Sequence, residues 1–490
     1  MKLKIKRLSF TAGDPFIAVL NKKDAYHLDL YPGDRIKIKY KSKEIIAVVN
    51  LAFKNVNQGE IGIFEHIINF FNVTHGYVDV SLSEKLKSTN YIKKKLEGNI
   101  LNAREINEIV KDIMSNNLSE IELTYFVSAC YGNGLNNNEV IALTKAIVNN
   151  GNKLNLNKHP ILDLHSIGGI PGNRITIIAV PIIAAAGFII PKTSSRSITS
   201  PSGTSDTMEV LANVSFLVND IKKIVNKTNG CMVWGGAVNL AAADDKLIRV
   251  RNPLGLDPEG MLLASIIAKK AAVNATHVLI EIPVGKNSKV ENKQKAVRLK
   301  NKFIQLGKKF NIKIIIMFSD GNQPVGNGIG PGLEARDVLK VLQGTGPEDL
   351  REKGLKTAAM LLKLLNVKDA YTKATEILDS GLAYEKFREI VKAQKGDPNI
   401  KIEDIKIGPF SYDVKSKYNG TIAKIDNNII SRIARVAGAP NDKEAGIYLN
   451  YHINDYVKKN DILFTIYAKN QKKLRYSLNV LKLNNPIMIR

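Results

Sequence analysis

Four stretches of the 490-residue chain gather glycines, small donors and charges where an oxyanion could be held. The first is Asp163-Leu164-His165-Ser166-Ile167-Gly168-Gly169-Ile170-Pro171-Gly172-Asn173-Arg174, lying between a strand-like run at 161–164 and an apolar helix that begins near Ile175. Glycines let backbone N–H groups approach an oxyanion, and a helix N-terminus adds partial positive charge. Two glycines alone would read as a tight turn; three, with Ser166 and Thr176 beside them, point to phosphate. The second stretch runs from Ser194 to Glu209, again between an apolar strand and a helix. Its serines and the guanidinium of Arg196 suit phosphate or sugar hydroxyls, although by itself it would also read as a polar loop whose Asp206 and Glu209 charge a helix start.

The third stretch, Arg249 to Gly260, leads into a helix on which Ser265 and Lys269, four apart, share a face. Asp257 stands just before Pro258 at the helix entry, where a carboxylate either caps the helix or, beside a cleft, holds and delivers a proton. The fourth, Ser319 to Glu334, reads as a loop walling that cleft, with most of its glycines serving scaffold geometry. Lys289, in Gly285-Lys286-x-x-Lys289-Val290, is read equally well as a solvated charge or as a binding group.

The elements that must position these residues follow from length and pattern. A chain of this length implies about three domains. Apolar residues at 44% and charged residues at 24% describe an ordinary globular protein. Lysine and arginine total 71 against 46 acids, a net +25 that draws phosphates, nucleic acids or anionic membranes. Cys130 and Cys231 form no metal or redox motif, which fits a reducing compartment. The N-terminal Met1-Lys2-Leu3-Lys4-Ile5-Lys6 lacks the apolar core of a secretory signal, so a cytoplasmic protein is expected. The longest near-apolar run, Ile175 to Ile190, is interrupted by Thr176, Pro181 and Gly187 and is shorter than the roughly 20 residues a bilayer needs, so it reads as a buried helix running into a strand. The histidines, including His165, show no metal-ligand spacing, and His165 is read as a loop or core residue.

The fold class expected is multidomain α/β. Residues 1–84 form a small β-rich module whose Asp24–Arg35 stretch looks like a double-psi barrel repeat. Residues 85–160 and 244–275 form a helical subdomain, with capping boxes at Ser119/Glu122 and Asn136/Glu139. Residues 161–243 and 276–400 form an α/β core with a parallel sheet, facing the helical part across a cleft. Residues 405–490 form a C-terminal α+β domain resembling a barrel-sandwich. The lysine-rich segment 286–309 reads as a solvated helix face, since Phe303 is its one aromatic residue.

The pattern from Ser194 to Glu209, Ser-x-Arg-x-Ile-x-x-x-x-Gly-Thr-x-Asp-x-Met-Glu, resembles the signature of the thymidine phosphorylase family. His165-Ser166-x-Gly168-Gly169, Ser265-x-x-x-Lys269-Lys270 and Asn322-Gln323-Pro324 recur in that family's order, so the resemblance covers about residues 85–490. The N-terminal module, Trp234-Gly235-Gly236 and Pro253-Leu254-x-Leu256-Asp257-Pro258-Glu259-Gly260 resemble its archaeal AMP phosphorylase branch. Leu164 and Val250, standing where nucleoside-cleaving members carry cations, agree with altered substrate contacts.

The resemblance implies phosphorolysis: inorganic phosphate attacks C1′ of AMP, and by extension CMP or UMP, releasing the base and ribose 1,5-bisphosphate. It implies that Asp257 gives the departing base its proton. Gly169, Ser195, Arg196, Ser197, Ile198, Thr199, Ser200, Thr204, Ser265 and Lys289 would line the nucleotide site, with Ser166 and Lys269 as further candidates. Which of them hold the 5′-phosphate and which the attacking phosphate stays open. No cofactor or metal is expected, phosphate being a co-substrate, and the chain is expected to form a homodimer or larger homo-oligomer without a membrane or nucleic-acid partner. The rival readings are a pyrimidine nucleoside phosphorylase, a phosphoribosyltransferase and a nucleic-acid-binding protein.

Overall fold

The computed structural model describes residues 1–490 except 10–15, 157, 198–199, 239, 252 and 254. The chain divides into two units, Met1–Gly151 with Ala242–Ser265, and Asn152–Ala241 with Ile266–Arg490.

The first unit begins with a closed barrel of strands in the spatial order Lys2–Leu8, Glu60–Phe64, Ile17–Asn21, Lys43–Ala52, Arg35–Tyr40, Tyr77–Leu82. Alternation builds it: Leu3 and Ile5, Ala18 and Leu20, Ile36 and Ile38, and Val78 and Val80 point inward and are buried, while the residues between them, Lys4, Val19, Lys37 and Asp79, face out. The runs at 17–20, 35–39 and 45–49 are legible as strands, whereas Lys2–Leu8, Glu60–Phe64 and Tyr77–Leu82 become strands only because closure supplies their partners.

Four helices follow, Lys87–Leu96, Ala103–Met114, Glu120–Gly132 and Asn137–Asn149. The capping boxes expected at Ser119 and Asn136 are present, and a third starts at Asn102. Glu122 does double duty, accepting from the Ser119 N–H at 2.8 Å and from the Arg35 guanidinium, which ties barrel to helices. A buried Lys95–Glu139 pair at 2.7 Å joins two of the helices. The helix Ala242–Arg251 and the start of Glu259–Ala272 complete this unit.

The second unit is built on parallel strands. Lys313–Asp320, His277–Val284 and Leu162–Ser166 form one sheet; Ile190–Ser194 pairs with Gly230–Trp234, and a parallel bridge between Ile161 and Ile189 links the two sets. The apolar run after the first glycine loop is the helix Ile175–Ala185, buried along nearly its whole length, and it turns at Gly187 (φ +88°) into the strand Ile190–Ser194. Glu348–Leu364 and Leu382–Ala393 pack against it. Among the described residues no helix is long and apolar enough to cross a membrane.

The last part holds a sheet in the order Gly328–Ile329, Gly446–Leu449, Ile462–Ala468, Phe410–Lys415, a second in the order Tyr456–Val457, Gly420–Ile425, Ile487–Ile489, and the helices Asn427–Ala437 and Gln471–Leu483. Gly328–Ile329, inside the fourth sequence stretch, thus pairs with a C-terminal strand, so part of that stretch is scaffold.

Candidate active site

In the second unit the loops that follow the carboxyl ends of the parallel strands carry the candidate residues, the usual place for ligands in open α/β sheets. The first loop turns on Gly168, Gly169 and Gly172, with φ of +82°, +95° and +71°. At Gly172 a Cβ would lie 2.2 Å from the Val325 carbonyl oxygen, so only glycine fits there. At Gly169 a Cβ would lie 3.1 Å from the Lys289 backbone nitrogen, which places Lys289 directly beside this loop. The Ser166 hydroxyl accepts from the Gly168 N–H (3.3 Å) and the Asn173 amide (3.4 Å), so it shapes the loop. Asn173 also donates to Glu281 (2.9 Å), which Ser319 (2.6 Å) and Lys353 (2.6 Å) contact as well. Burial alone would raise the Glu281 pKa; the Lys353 charge and the hydrogen bonds outweigh it and hold the carboxyl below its usual value.

Arg174, at the helix start, joins this loop to the signature loop. It donates to the Ser202 carbonyl (2.7 Å) and the Thr204 hydroxyl (3.4 Å) and pairs with the buried carboxylate of Glu334. Glu334 in turn accepts from Thr207 (2.8 Å) and the Gly330 N–H (3.1 Å). One buried ion pair therefore sets three loops at a common register, a role that no local pattern announces for either residue.

The signature loop is largely folded on itself. Asp206 accepts from the backbone N–H of Ser197 (2.7 Å) and Gly203 (2.9 Å), and Ser197 and Ser200 hydroxyls lie 3.0 Å apart. Gly203 leaves no room for a side chain, since a Cβ would sit 2.7 Å from the Ser197 nitrogen. Arg196 grips both oxygens of Glu209 and lies over Trp234, 4.7 Å from the ring. The Arg196 hydrogen bonds, helped by Lys443 at 2.9 Å, pull the Glu209 carboxyl down to about 2 against the effect of burial. Arg196 thus braces the loop. Ser195 lies in it unburied; Ile198 and Thr199 fall outside the described residues.

Beneath both loops sits a buried charge cluster. Asp163 is fully buried and receives Lys270 at 2.7 Å, with Lys192 at 3.8 Å. Lys192 donates to the Thr193 carbonyl at 2.5 Å. Burial first, then the neighbouring Lys270, pushes Lys192 down to about 7, with Asp163 opposing. His165 is held neutral, well below its ordinary pKa, by burial and then by Lys270, Lys192, Lys269 and Lys289. Lys192 and Glu281 carried no sequence signal beyond a charge within an apolar strand.

In the first unit, Ser265 is buried and donates to Asp244 at 2.5 Å, and Asp257 lies 3.6 Å from the Arg251 guanidinium. The structure therefore gathers Gly169, Thr204, Ser166, the signature loop and Lys289 in one unit and Asp257 with Ser265 in the other. Among the described residues no group of three or more His, Cys, Asp or Glu could hold a metal ion.

Residues 89–151 match the glycosyl transferase family helical bundle domain, residues 158–384 the glycosyl transferase family a/b domain, and residues 421–488 the pyrimidine nucleoside phosphorylase C-terminal domain. The AMP phosphorylase of Pyrococcus horikoshii is 45% identical, with 100% of this chain and 98% of that protein covered. That of Thermococcus kodakarensis is 44% identical with the same coverage, and AMP phosphorylase 1 of Archaeoglobus fulgidus is 42% identical over 100% of this chain and 97% of its own. Among solved structures, anthranilate phosphoribosyltransferase from Thermus thermophilus superposes with a TM-score of 0.51 at 16% identity, over 62% of this chain and 99% of that one. At that identity the likeness is one of fold.

Proposed function

The chain belongs to the AMP phosphorylase family, and from that premise we propose that it cleaves AMP with inorganic phosphate, giving adenine and ribose 1,5-bisphosphate. A phosphate oxygen bonds to C1′ as the bond from C1′ to the base nitrogen breaks, and a proton reaches the departing base. The observation that carries this reading is the glycine loop at the start of the helix Ile175–Ala185, locked to the signature loop by Arg174 and Glu334. Backbone N–H groups with a helix N-terminus can hold an anion against a sugar that becomes cation-like. In this reading Gly169, Thr204, Lys289 and the segment 195–200 bind substrate, Ser166 shapes the loop, Ser265 and Lys269 contribute from one helix, and Asp257 is the proton donor.

The same proposal extends to CMP and UMP as substrates, a homo-oligomer, a cytoplasmic setting and chemistry without a metal cofactor. It keeps the division into 1–84, 85–160 with 244–275, 161–243 with 276–400, and 405–490, with a double-psi-like first part and a barrel-sandwich-like last part. The test is to incubate the purified protein with phosphate and AMP, CMP, UMP or thymidine and to quantify free base and ribose 1,5-bisphosphate. Preferential thymidine cleavage would reject the nucleotide reading. Dependence on pyrophosphate would indicate phosphoribosyl transfer, and salt-sensitive RNA retention without phosphorolysis would indicate a binding protein.

A further inference from the structure

The signature stretch ends in two carboxylates, Asp206 and Glu209, about one helical turn apart. Arg196, near its start, grips both oxygens of Glu209 and stands 3.5 Å from Asp206. Lys443, in the C-terminal part of the chain, stands 2.9 Å from Glu209 and 3.6 Å from Asp206. Each cation thus meets both carboxylates, and the four charges close into a ring with no net charge. Asp206 ties this ring to the backbone: one of its oxygens accepts the N–H groups of Ser197 (2.7 Å) and Gly203 (2.9 Å), while the other faces Arg196 and Lys443. Its side chain is buried, so the charge has to be balanced from within the protein. The reach of Lys443 is set by its own backbone. Its carbonyl accepts the Gly332 N–H at 2.9 Å, and a Cβ at Gly332 would lie 2.7 Å from that oxygen, so glycine is what lets the segment come this close. Just beyond it, Gly446–Leu449 pairs with Gly328–Ile329 and anchors the segment.

We infer that Lys443 is a positioning residue for substrate binding: it completes the ring that holds the signature loop in shape and keeps that ring electrically neutral. The inference rests on the proposed phosphorolysis, and it gives the C-terminal part of the chain a share in the site without contact to the reacting atoms. Both substrates of that reaction are anions. Without Lys443 the ring carries one surplus negative charge and Asp206 leans on Arg196 alone, so the loop loosens and also repels what it must receive. The groups that act at C1′ keep their places. The loss therefore falls on binding, with KM raised and kcat retained.

The test compares the full-length wild type with Lys443→Met, Lys443→Arg and the double variant Lys443→Met with Glu209→Gln. It measures kcat, the KM values for AMP and for phosphate, and the emission of Trp234, the single tryptophan, whose ring lies 4.7 Å from the Arg196 guanidinium and so reports where that group stands. Lys443→Met should raise at least one KM by about tenfold, the scale of one charge-assisted contact, with kcat within about twofold of wild type. It should also shift the Trp234 emission as Arg196 is drawn toward the unbalanced Asp206. Lys443→Arg keeps the charge and should restore both readouts, and the double variant, relieved of the surplus charge, should recover part of the KM. Unchanged KM values, an Arg variant as impaired as the Met variant, an unmoved emission, or a double variant no better than the single one would each overturn the assignment. Should the wild-type protein release no base from AMP, the functional reading falls and the Trp234 emission still decides the ring; should it succeed while Lys443→Met keeps both KM values, only this inference falls.

Discussion

Replacing Asp163 with asparagine keeps its shape and removes the one carboxylate shared by Lys270 at 2.7 Å and Lys192 at 3.8 Å. Lys270 is fully buried and Lys192 is 4% exposed, so neither ammonium can turn to water. Breaking a buried ion pair by removing one partner costs about 3–5 kcal/mol, because the charge left behind keeps its desolvation penalty. Lys192 sits at about 7 and can shed its proton, which relieves one of the two charges and holds the loss near the lower end of that range. Urea unfolding of the variant, followed by the fluorescence of Trp234, the single tryptophan, reads the event locally, since Ser194 of the Lys192 strand pairs with Trp234. Adding Lys270→Met to Asp163→Asn removes the stranded ammonium and should recover a large part of the loss. A single variant within about 0.5 kcal/mol of wild type, the ordinary spread of neutral changes, or a double variant no more stable than the single one, would refute the reasoning.

The same cluster sets a pH dependence. Lys192 has a folded pKa of about 7 against an ordinary 10.5, so between those values the unfolded chain binds the extra proton. Stability therefore rises with pH across that window, by up to about 1.4 kcal/mol per unit, and below pH 7 the full cost of the buried charge is present. Lys192→Met should flatten this rise and gain stability at pH 6, measured by urea midpoints across the range.

Three further outcomes follow from the loops. Gly172→Ala forces a left-handed backbone and a 2.2 Å contact with the Val325 carbonyl, so it should raise the phosphate KM and lower the melting temperature, a strain of about 1–3 kcal/mol; an unchanged phosphate KM would count against the cradle. Glu334→Gln leaves the Arg174 guanidinium buried without its counter-charge and should cost about 3–5 kcal/mol in chemical unfolding, with Arg174→Met added to it restoring part of the loss. Asp257→Asn should lower kcat for AMP by about 10²–10⁴, the usual worth of a general acid, with the KM for AMP little changed; near-normal turnover would remove Asp257 from its role.

What was legible in the sequence is what depends on neighbours along the chain. Positive-φ glycines in the first loop, the capping boxes at Ser119 and Asn136, and the barrel runs at 17–20 and 35–39 are local requirements that residue type alone expresses. Asp163 with Lys270, Asn173 with Glu281 and Arg174 with Glu334 lie more than a hundred residues apart, and only the packing of strands and helices brings them together. The short strand Gly328–Ile329 needs Gly446–Leu449 before it is a strand at all.

The signature loop shows the limit in its sharpest form, because its residue types were legible while their bonds to one another were not. A run of hydroxyls around a guanidinium reads as a set of donors awaiting a ligand. Yet Arg196 holds Glu209, Asp206 receives two backbone N–H groups of the loop, and Ser202 meets Thr207 at 2.8 Å. Each of these bonds is a constraint on backbone shape, and a buried polar side chain must find such a partner or lose stability. Much of the signature is therefore a specification of loop geometry, and a charge from far along the chain completes it, Lys443 reaching Glu209 at 2.9 Å and Asp206 at 3.6 Å.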